Sequence, residues 1–175
     1  ENFLKLASEK NFIREIETDK VKTHKEILSK AIQISNNDYI STNQIVTVIL
    51  PNSIMYIEHF LGALLGGYIF NPLPYFTQTQ ELKKIFEYID PAIILTDRKD
   101  ISSIFSQDYK IYTPDHFDSF SFKYKKVIPK PDQIAALYYS SGTTGNPKGV
   151  LFSHKNMLSL ISSIVRGFKF SRNDR

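Results

Sequence analysis

Ile45-Val46-Thr47-Val48-Ile49-Leu50, closed by Pro51-Asn52-Ser53, is the stretch that decides the fold class. The run is β-branched and almost wholly apolar. A strand apolar on both faces belongs inside a parallel sheet that is covered on both sides. Pro51-Asn52-Ser53 breaks the strand, and Ile54–Gly66 then follows helical spacing, with Asn52 or Ser53 as its N-cap. Gly62, Ala63, Gly66 and Gly67 give that helix a small-residue surface for close packing. The alternation continues downstream. Tyr68-Ile69-Phe70 reads as a second strand, ended by Asn71-Pro72-Leu73-Pro74. A helix is predicted over Thr79–Tyr88 with Leu82, Ile85, Phe86 and Ile89 inward, and Pro91 ends it. Ala92–Thr96 is a third strand, Ile101–Phe105 a weak helix and Tyr109–Thr113 a short strand. A polar, proline-punctuated connection spans Thr113–Pro131. Ile134–Tyr139 is another apolar strand, Gly142–Gly149 a loop and Val150–Phe152 a short strand. Ser153 caps a last helix, His154–Val165. Strands and helices alternating from Gln44 to Val165 predict an α/β fold, a mainly parallel sheet with helices on both faces. In such sheets ligands bind beyond the carboxyl ends of the strands.

Upstream of Gln44 the texture is helical. Phe3, Leu4, Ala7, Phe12 and Ile13 predict a helix over Phe3–Arg14. Ile27, Leu28, Ala31, Ile32 and Ile34 predict a clearer one over Thr23–Ile34, with Thr23 and Glu26 as a capping box. Ser35-Asn36-Asn37-Asp38 stops it. The expected organisation is a helical segment, residues 1–43, packing on an α/β nucleotide-binding subdomain, residues 44–175.

Composition narrows the class. The chain has 175 residues, of which 42% are hydrophobic, 23% charged and 13% aromatic, which excludes a disordered or low-complexity chain. With no cysteine there is no disulfide framework, thiolate metal site or thiol nucleophile. The net charge of +4 mildly favours anionic partners. The basic cluster Lys123, Lys125, Lys126 and Lys130 reads as a solvated loop, without the motifs of a nucleic-acid patch. Phe60–Phe70, the longest apolar stretch, falls short of the about 20 residues a membrane span needs. Nothing in Glu1–Lys22 resembles a signal peptide. A cytoplasmic protein is expected, with no membrane span and no nucleic-acid partner.

The chemistry concentrates in Tyr138-Tyr139-Ser140-Ser141-Gly142-Thr143-Thr144-Gly145-Asn146-Pro147-Lys148-Gly149-Val150. This stretch follows a buried strand, so it lies at a carboxyl edge. Glycines let backbone N–H groups approach a ligand, and successive N–H groups form an anion-binding nest. Hydroxyls donate to phosphate oxygens, and Lys148 adds a mobile charge. The loop is built for phosphate or pyrophosphate. It is not a Walker loop: counted from Gly142, the required second glycine is Pro147 and the required hydroxyl is Gly149. It is not a dinucleotide fingerprint either, because no Gly-x-Gly-x-x-Gly occurs.

From Tyr139 to Val150 the segment resembles, at every position, the signature loop of the adenylate-forming superfamily of acyl-CoA synthetases, aryl-CoA ligases, peptide-synthetase adenylation domains and luciferases. The resemblance continues through Leu151-Phe152-Ser153-His154-Lys155-Asn156. It extends upstream over Val46–Ser53, Tyr56–Gly67, Gly67–Leu73, Thr79–Ile89, Pro91–Asp97 and Pro131–Leu137, and is weakest over Glu1–Lys22 and Arg98–Lys130. It implies that this is the N-terminal portion of an AMP-forming carboxylate ligase's large domain. Such an enzyme turns a carboxylic acid and ATP into an acyl-adenylate and pyrophosphate, then passes the acyl group to CoA or a carrier thiol. By the resemblance, Ser140, Ser141, Thr143 and Thr144 are hydroxyl donors to the ATP phosphates, Gly142 and Gly145 supply backbone donors, and Lys148 neutralises phosphate charge. The family's adenine, ribose and Mg²⁺ contacts and its catalytic lysine have no counterpart in these residues. The fragment alone is therefore expected to be inactive, with no catalytic residue and no metal ligand of its own.

Other residues read more blandly. His24, His59, His116 and His154 lack metal-ligand spacing, and His154 reads as a helix-start residue. Glu81, Glu87 and Asp90 read as a solvated helix face. Ser140 and Ser141 lack a nucleophile elbow. Tyr75, Phe76, Phe117, Phe120, Phe122 and Tyr124 read as core or interface plugs. The alternative to the ligase is a non-catalytic phosphate- or nucleotide-binding module. A P-loop NTPase is disfavoured by Pro147 and Gly149.

Overall fold

The computed structural model describes residues 9–119, 128–140 and 148–170. Its centre is a six-stranded sheet in the order β6-β5-β3-β4-β7-β8. These strands are β3 (Ile45–Ile49), β4 (Ile69–Pro72), β5 (Ile93–Thr96), β6 (Ile111–Tyr112), β7 (Ile134–Ser140) and β8 (Lys148–Ser153). β3 pairs parallel with β4 and β5, β4 with β7, and β5 with β6. Only β8 runs antiparallel, against β7. Helices lie on both faces, so the α/β expectation holds.

The strand pleat divides the core in two. Val46, Val48, Leu50, Phe70, Ile93, Leu95 and Ala136 pack on one face with Ile34 and Ala63. Those two residues come from α1 (His24–Ser35) and α2 (Ile54–Gly66). Ile49 and Ile94 pack on the other with Leu82, Ile85 and Phe86 of α3 (Thr79–Ile89) and Ile101 and Phe105 of α4 (Lys99–Phe105). Successive side chains of one strand point to opposite faces, which is why β3 needs apolar residues at nearly every position.

The helix signals act as the residue types require. Thr23 and Glu26 form the capping box of α1. Ser53 caps α2 through the Tyr56 amide, and Gly67 ends that helix at φ 71°, the left-handed conformation glycine adopts without a Cβ clash. A Cβ on Gly62 would lie 2.5 Å from Ile34 Cγ2, so this glycine sets the close approach of α2 to α1. Asp90, also left-handed, ends α3 ahead of Pro91.

Three expectations are corrected. Residues 11–14 are not helical: Asn11–Arg14 is strand β1, paired antiparallel with β2 (Val21–Thr23). The hairpin closes through the Glu15 amide on the Lys20 carbonyl at 2.8 Å and an ion pair of Arg14 with Asp19. A short apolar run carries too few residues to separate a period of 2 from one of 3.6, and cross-strand pairing decided it. Second, Lys148 and Gly149 belong to β8 rather than to the loop, because the ladder with β7 extends to Ser140 and Lys148. Third, the Thr113–Pro131 connection is not wholly irregular: it opens with a 3₁₀ turn over Pro114–Ser119. Phe120, Phe122, Tyr124 and the lysines at 123, 125 and 126 lie outside the described residues.

Candidate phosphate-binding site

Because β3 to β7 are parallel, their carboxyl ends share one edge of the sheet, where Leu50, Leu73, Asp97 and Ser140 leave their strands. β7 delivers the chain there and β8 takes it back. The last rung pairs Ser140 with Lys148 and the one before it pairs Tyr139 with Gly149. The ladder therefore brings Ser140 and Lys148, the residues that bracket the 141–147 connection, to the carboxyl edge beside β4. Ser140 and Lys148 stand opposite each other at its mouth, and Lys148 is exposed. Ser141, Gly142, Thr143, Thr144 and Gly145 lie outside the described residues.

The base of the hairpin is packed on both faces. Tyr138 meets Phe152 edge-on at 5.6 Å on the α1–α2 face, and Tyr139 packs against the α3–α4 core. Burial pushes both phenols up, so they remain protonated at neutral pH. Tyr139's hydroxyl is buried and finds no hydrogen-bond partner among the described residues. A Cβ on Gly149 would lie 3.0 Å from Leu137 Cδ1 and 3.8 Å from the Tyr139 ring. Gly149 thus clears space across from Tyr139 and anchors the base of the loop, a role distinct from ligand approach.

Neighbouring elements complete the edge. Arg98, after β5, donates to the Tyr75 and Thr77 carbonyls, both at 2.8 Å, and pairs with Asp100. This fixes the turn after β4 and leaves Phe76 89% exposed. On β4, Asn71 is buried and donates to Thr47 Oγ1 at 2.9 Å, while its Oδ1 lacks a partner among the described residues. A helix N-terminus at a carboxyl edge attracts anions, but the start of α2 is already taken. Glu15 Oε2 accepts from the Ile54 amide at 3.1 Å, and that bond, with one from Thr18, holds the Glu15 carboxyl below its usual range.

The donor set suits an anion. Hydroxyls, glycine amides and one lysine carry no negative charge, and among the described residues no group of three or more His, Asp or Glu side chains could hold a metal ion. His154, next to the Ser153 cap, begins the helix after β8; burial holds its imidazole below the usual histidine value, and its Nε2 has no hydrogen-bond partner among the described residues. Of the residues the sequence proposes for the phosphates, Ser140 and Lys148 lie at this edge. Sequence reasoning missed Glu15, Arg98 and Asn71, whose partners stand 39, 21–23 and 24 positions away. The Asn71-Pro72 turn was the one signal that pointed near them.

A mainly parallel sheet with helices on both faces, its β7 and β8 ends meeting at the carboxyl edge, defines the class: a doubly covered α/β protein. The chain belongs to the AMP-binding enzyme family, whose model matches residues 25–175. It is 32% identical over 151 residues to 4-coumarate-CoA ligase 1 of Narcissus pseudonarcissus, covering 74% of this chain and 27% of that protein. It is 27% identical to malpinin synthetase of Mortierella alpina, covering 83% of this chain and 2% of that protein. The fold matches o-succinylbenzoate CoA synthetase from Bacillus subtilis in complex with its acyl-adenylate intermediate. There the TM-score is 0.85 at 21% identity, covering 99% of this chain and 48% of that one. The chain spans about a quarter of the length of the ligase relatives it matches. Among the described residues no helix is long and apolar enough to cross a membrane.

Proposed function

We propose that this chain is the part of an AMP-forming carboxylate ligase that grips the phosphates of ATP. The observation that carries the reading is the unbroken loop Tyr139–Val150, rooted in the β7–β8 ladder at the carboxyl edge, in a chain of the AMP-binding family. In this reading residues 1–43 pack as an accessory segment on the α/β unit 44–175.

The carboxylate of the acid attacks the α-phosphorus of ATP, the bond to the bridging oxygen breaks, and pyrophosphate leaves with both electrons. Such transfer depends on positioning and charge stabilisation more than on covalent catalysis. Ser140, Ser141, Thr143 and Thr144 donate hydroxyl hydrogens to the β- and γ-phosphates, Gly142 and Gly145 donate backbone N–H groups, and Lys148 offsets the charge of the departing pyrophosphate. The Mg²⁺ that accompanies ATP, the acyl pocket and the acceptor, CoA or a carrier thiol, belong to the remainder of the enzyme. Residues 1–175 alone hold ATP no more tightly than about millimolar.

The test is pyrophosphate–ATP exchange by the full-length protein across a panel of carboxylic acids. Exchange is expected only when a suitable acid is present. Lys148→Ala is expected to lower it about 10- to 150-fold, the loss of one charge-assisted contact of about 1.5–3 kcal/mol, with the melting temperature unchanged. A folded full-length protein that exchanges with no acid overturns the ligase reading in favour of a binding module.

A further inference from the structure

The charge of the chain is unevenly divided. Residues 1–118 hold 12 basic and 16 acidic side chains, a balance of −4, whereas residues 119–175 hold 10 and 2, a balance of +8. Between Asp118 and Asp174 the one acidic residue is Asp132. An asymmetry of this sign points to an anionic partner, and nine of the ten cations stand outside the Tyr139–Val150 loop. The basic run Lys123, Lys125, Lys126 and Lys130 leads instead to Pro131. Pro131 lies just ahead of β7, at the amino edge of the sheet, opposite the Ser140–Lys148 mouth.

Pro131 is one wall of an open groove of about 440 Å³, and α5 (His154–Gly167) is the other. Backbone bonds fix the helix there, from the Lys155 amide to the Pro131 carbonyl at 2.8 Å and from the His154 amide to the Gln133 carbonyl at 3.0 Å. α5 lines the groove with Lys155, Ser159, Ser162, Ser163 and Arg166. Their spacing, i, i+4, i+7, i+8 and i+11, puts them on one side of the helix. Met157, on the other side, packs against the sheet core, so the groove side faces outward, and Lys155 and Arg166 are exposed. Among the described residues no carboxylate lines the groove, and neither cation belongs to an ion pair.

Two cations about 16 Å apart along the helix axis, with three hydroxyl donors between them, suit a partner that carries several anionic groups in line rather than a lone phosphate. An extended peptide covers that distance in about five residues. Its carboxylates accept from ammonium, guanidinium and hydroxyl donors alike. Among the described residues no aromatic side chain lines the groove, so a nucleic-acid base finds nothing to stack on. Leu158 and Pro131 are the only apolar members of that lining, too little to sink into a bilayer. We propose that this groove docks an extended acidic segment of a partner protein, its carboxylates meeting Lys155, Arg166 and the serines between them. The docking surface rests on charge and packing alone, independently of the adenylation reading.

The test uses the full-length protein and a fluorescein-labelled oligo-glutamate peptide as the probe, read by fluorescence anisotropy. Saturable binding is expected, weakening as salt is raised. Lys155→Glu combined with Arg166→Glu is expected to weaken it at least about tenfold, because like charges then face the peptide. The melting temperature should stay unchanged, since both side chains are exposed. Lys99→Glu combined with Lys110→Glu makes the same change of charge at exposed positions on the far side of the sheet and should leave binding as it is. No saturable binding, or equal weakening by the two double variants, overturns the proposal. Tighter binding of a single-stranded RNA oligonucleotide or of phosphatidylserine vesicles, lost in the Lys155 and Arg166 variant, also overturns it and assigns the groove to that partner.

Discussion

α1 and α5 are written with the same local vocabulary. Each begins with a histidine, His24 and His154, behind a hydroxyl N-cap, Thr23 and Ser153. In each the cap accepts from the third residue's amide at 3.2 Å and the third residue's side chain returns a bond to the cap amide, Glu26 at 2.8 Å and Asn156 at 3.1 Å. Each is amphipathic and serves the same face of the sheet. Yet Ile27, Ala31 and Ile34 of α1 are buried against α2, while no residue of α5 is fully buried and only His154 and Met157 are half-buried among the described residues. The contrast teaches that capping and periodicity start a helix and orient its apolar side. They do not supply what that side packs against.

The largest expected effect separates the two helices by burial. Ile27→Ala in the full-length protein should cost about 2–5 kcal/mol, as truncation of a buried aliphatic side chain does, read by urea unfolding. If α5 is covered there, Ile161→Ala should fall in the same range. A cost below about 0.5 kcal/mol would make α5 a solvent-facing helix and break the parallel.

Removing the caps is the next test. Thr23→Ala and Ser153→Ala should each cost about 1 kcal/mol, measured the same way. Similar losses sharpen the comparison. A loss at Thr23 with none at Ser153 would mean that the start of α5 frays without touching global stability.

The smallest effect is one of pH. His24 stacks on Phe12 at 4.0 Å between ring centres, whereas His154 is held by burial below the usual histidine value. A group whose folded value lies below its unfolded one stabilises the fold fully above the unfolded value, about 6.5, and loses that contribution as pH falls toward the folded value. His154→Asn should flatten the dependence of the melting temperature on pH below about 6.5. An unchanged slope would place His154 outside the titrating set.

From Gln44 onward most of the architecture was legible. Ile45–Leu50 announced a two-faced strand, the Ser53 and Ser153 caps marked helix starts, and Gly62 and Ala63 marked a close helix contact. The hairpin of β1 and β2 was not legible, because Phe12 and Ile13 fit either period and their partners come later in the chain. Two further ties of that hairpin, the Glu15 carboxylate on α2 and Lys22 with the buried Glu58 at 2.7 Å, join residues 36 to 39 positions apart, and no local pattern encodes them.

The candidate site divides the same way. The order of hydroxyls, glycines and lysine from Tyr139 to Val150 was complete in the sequence, because the proposed phosphate grip would draw its donors from consecutive backbone and short side chains. The folded chain alone decided that Lys148 stands across from Ser140 in a ladder, that Gly149 clears Tyr139, and that α2's N-terminus is filled by Glu15. Local chemistry is set by neighbours along the chain, whereas register, burial and electrostatic occupancy are set by neighbours in space, which exist only once loop closure has brought distant segments together.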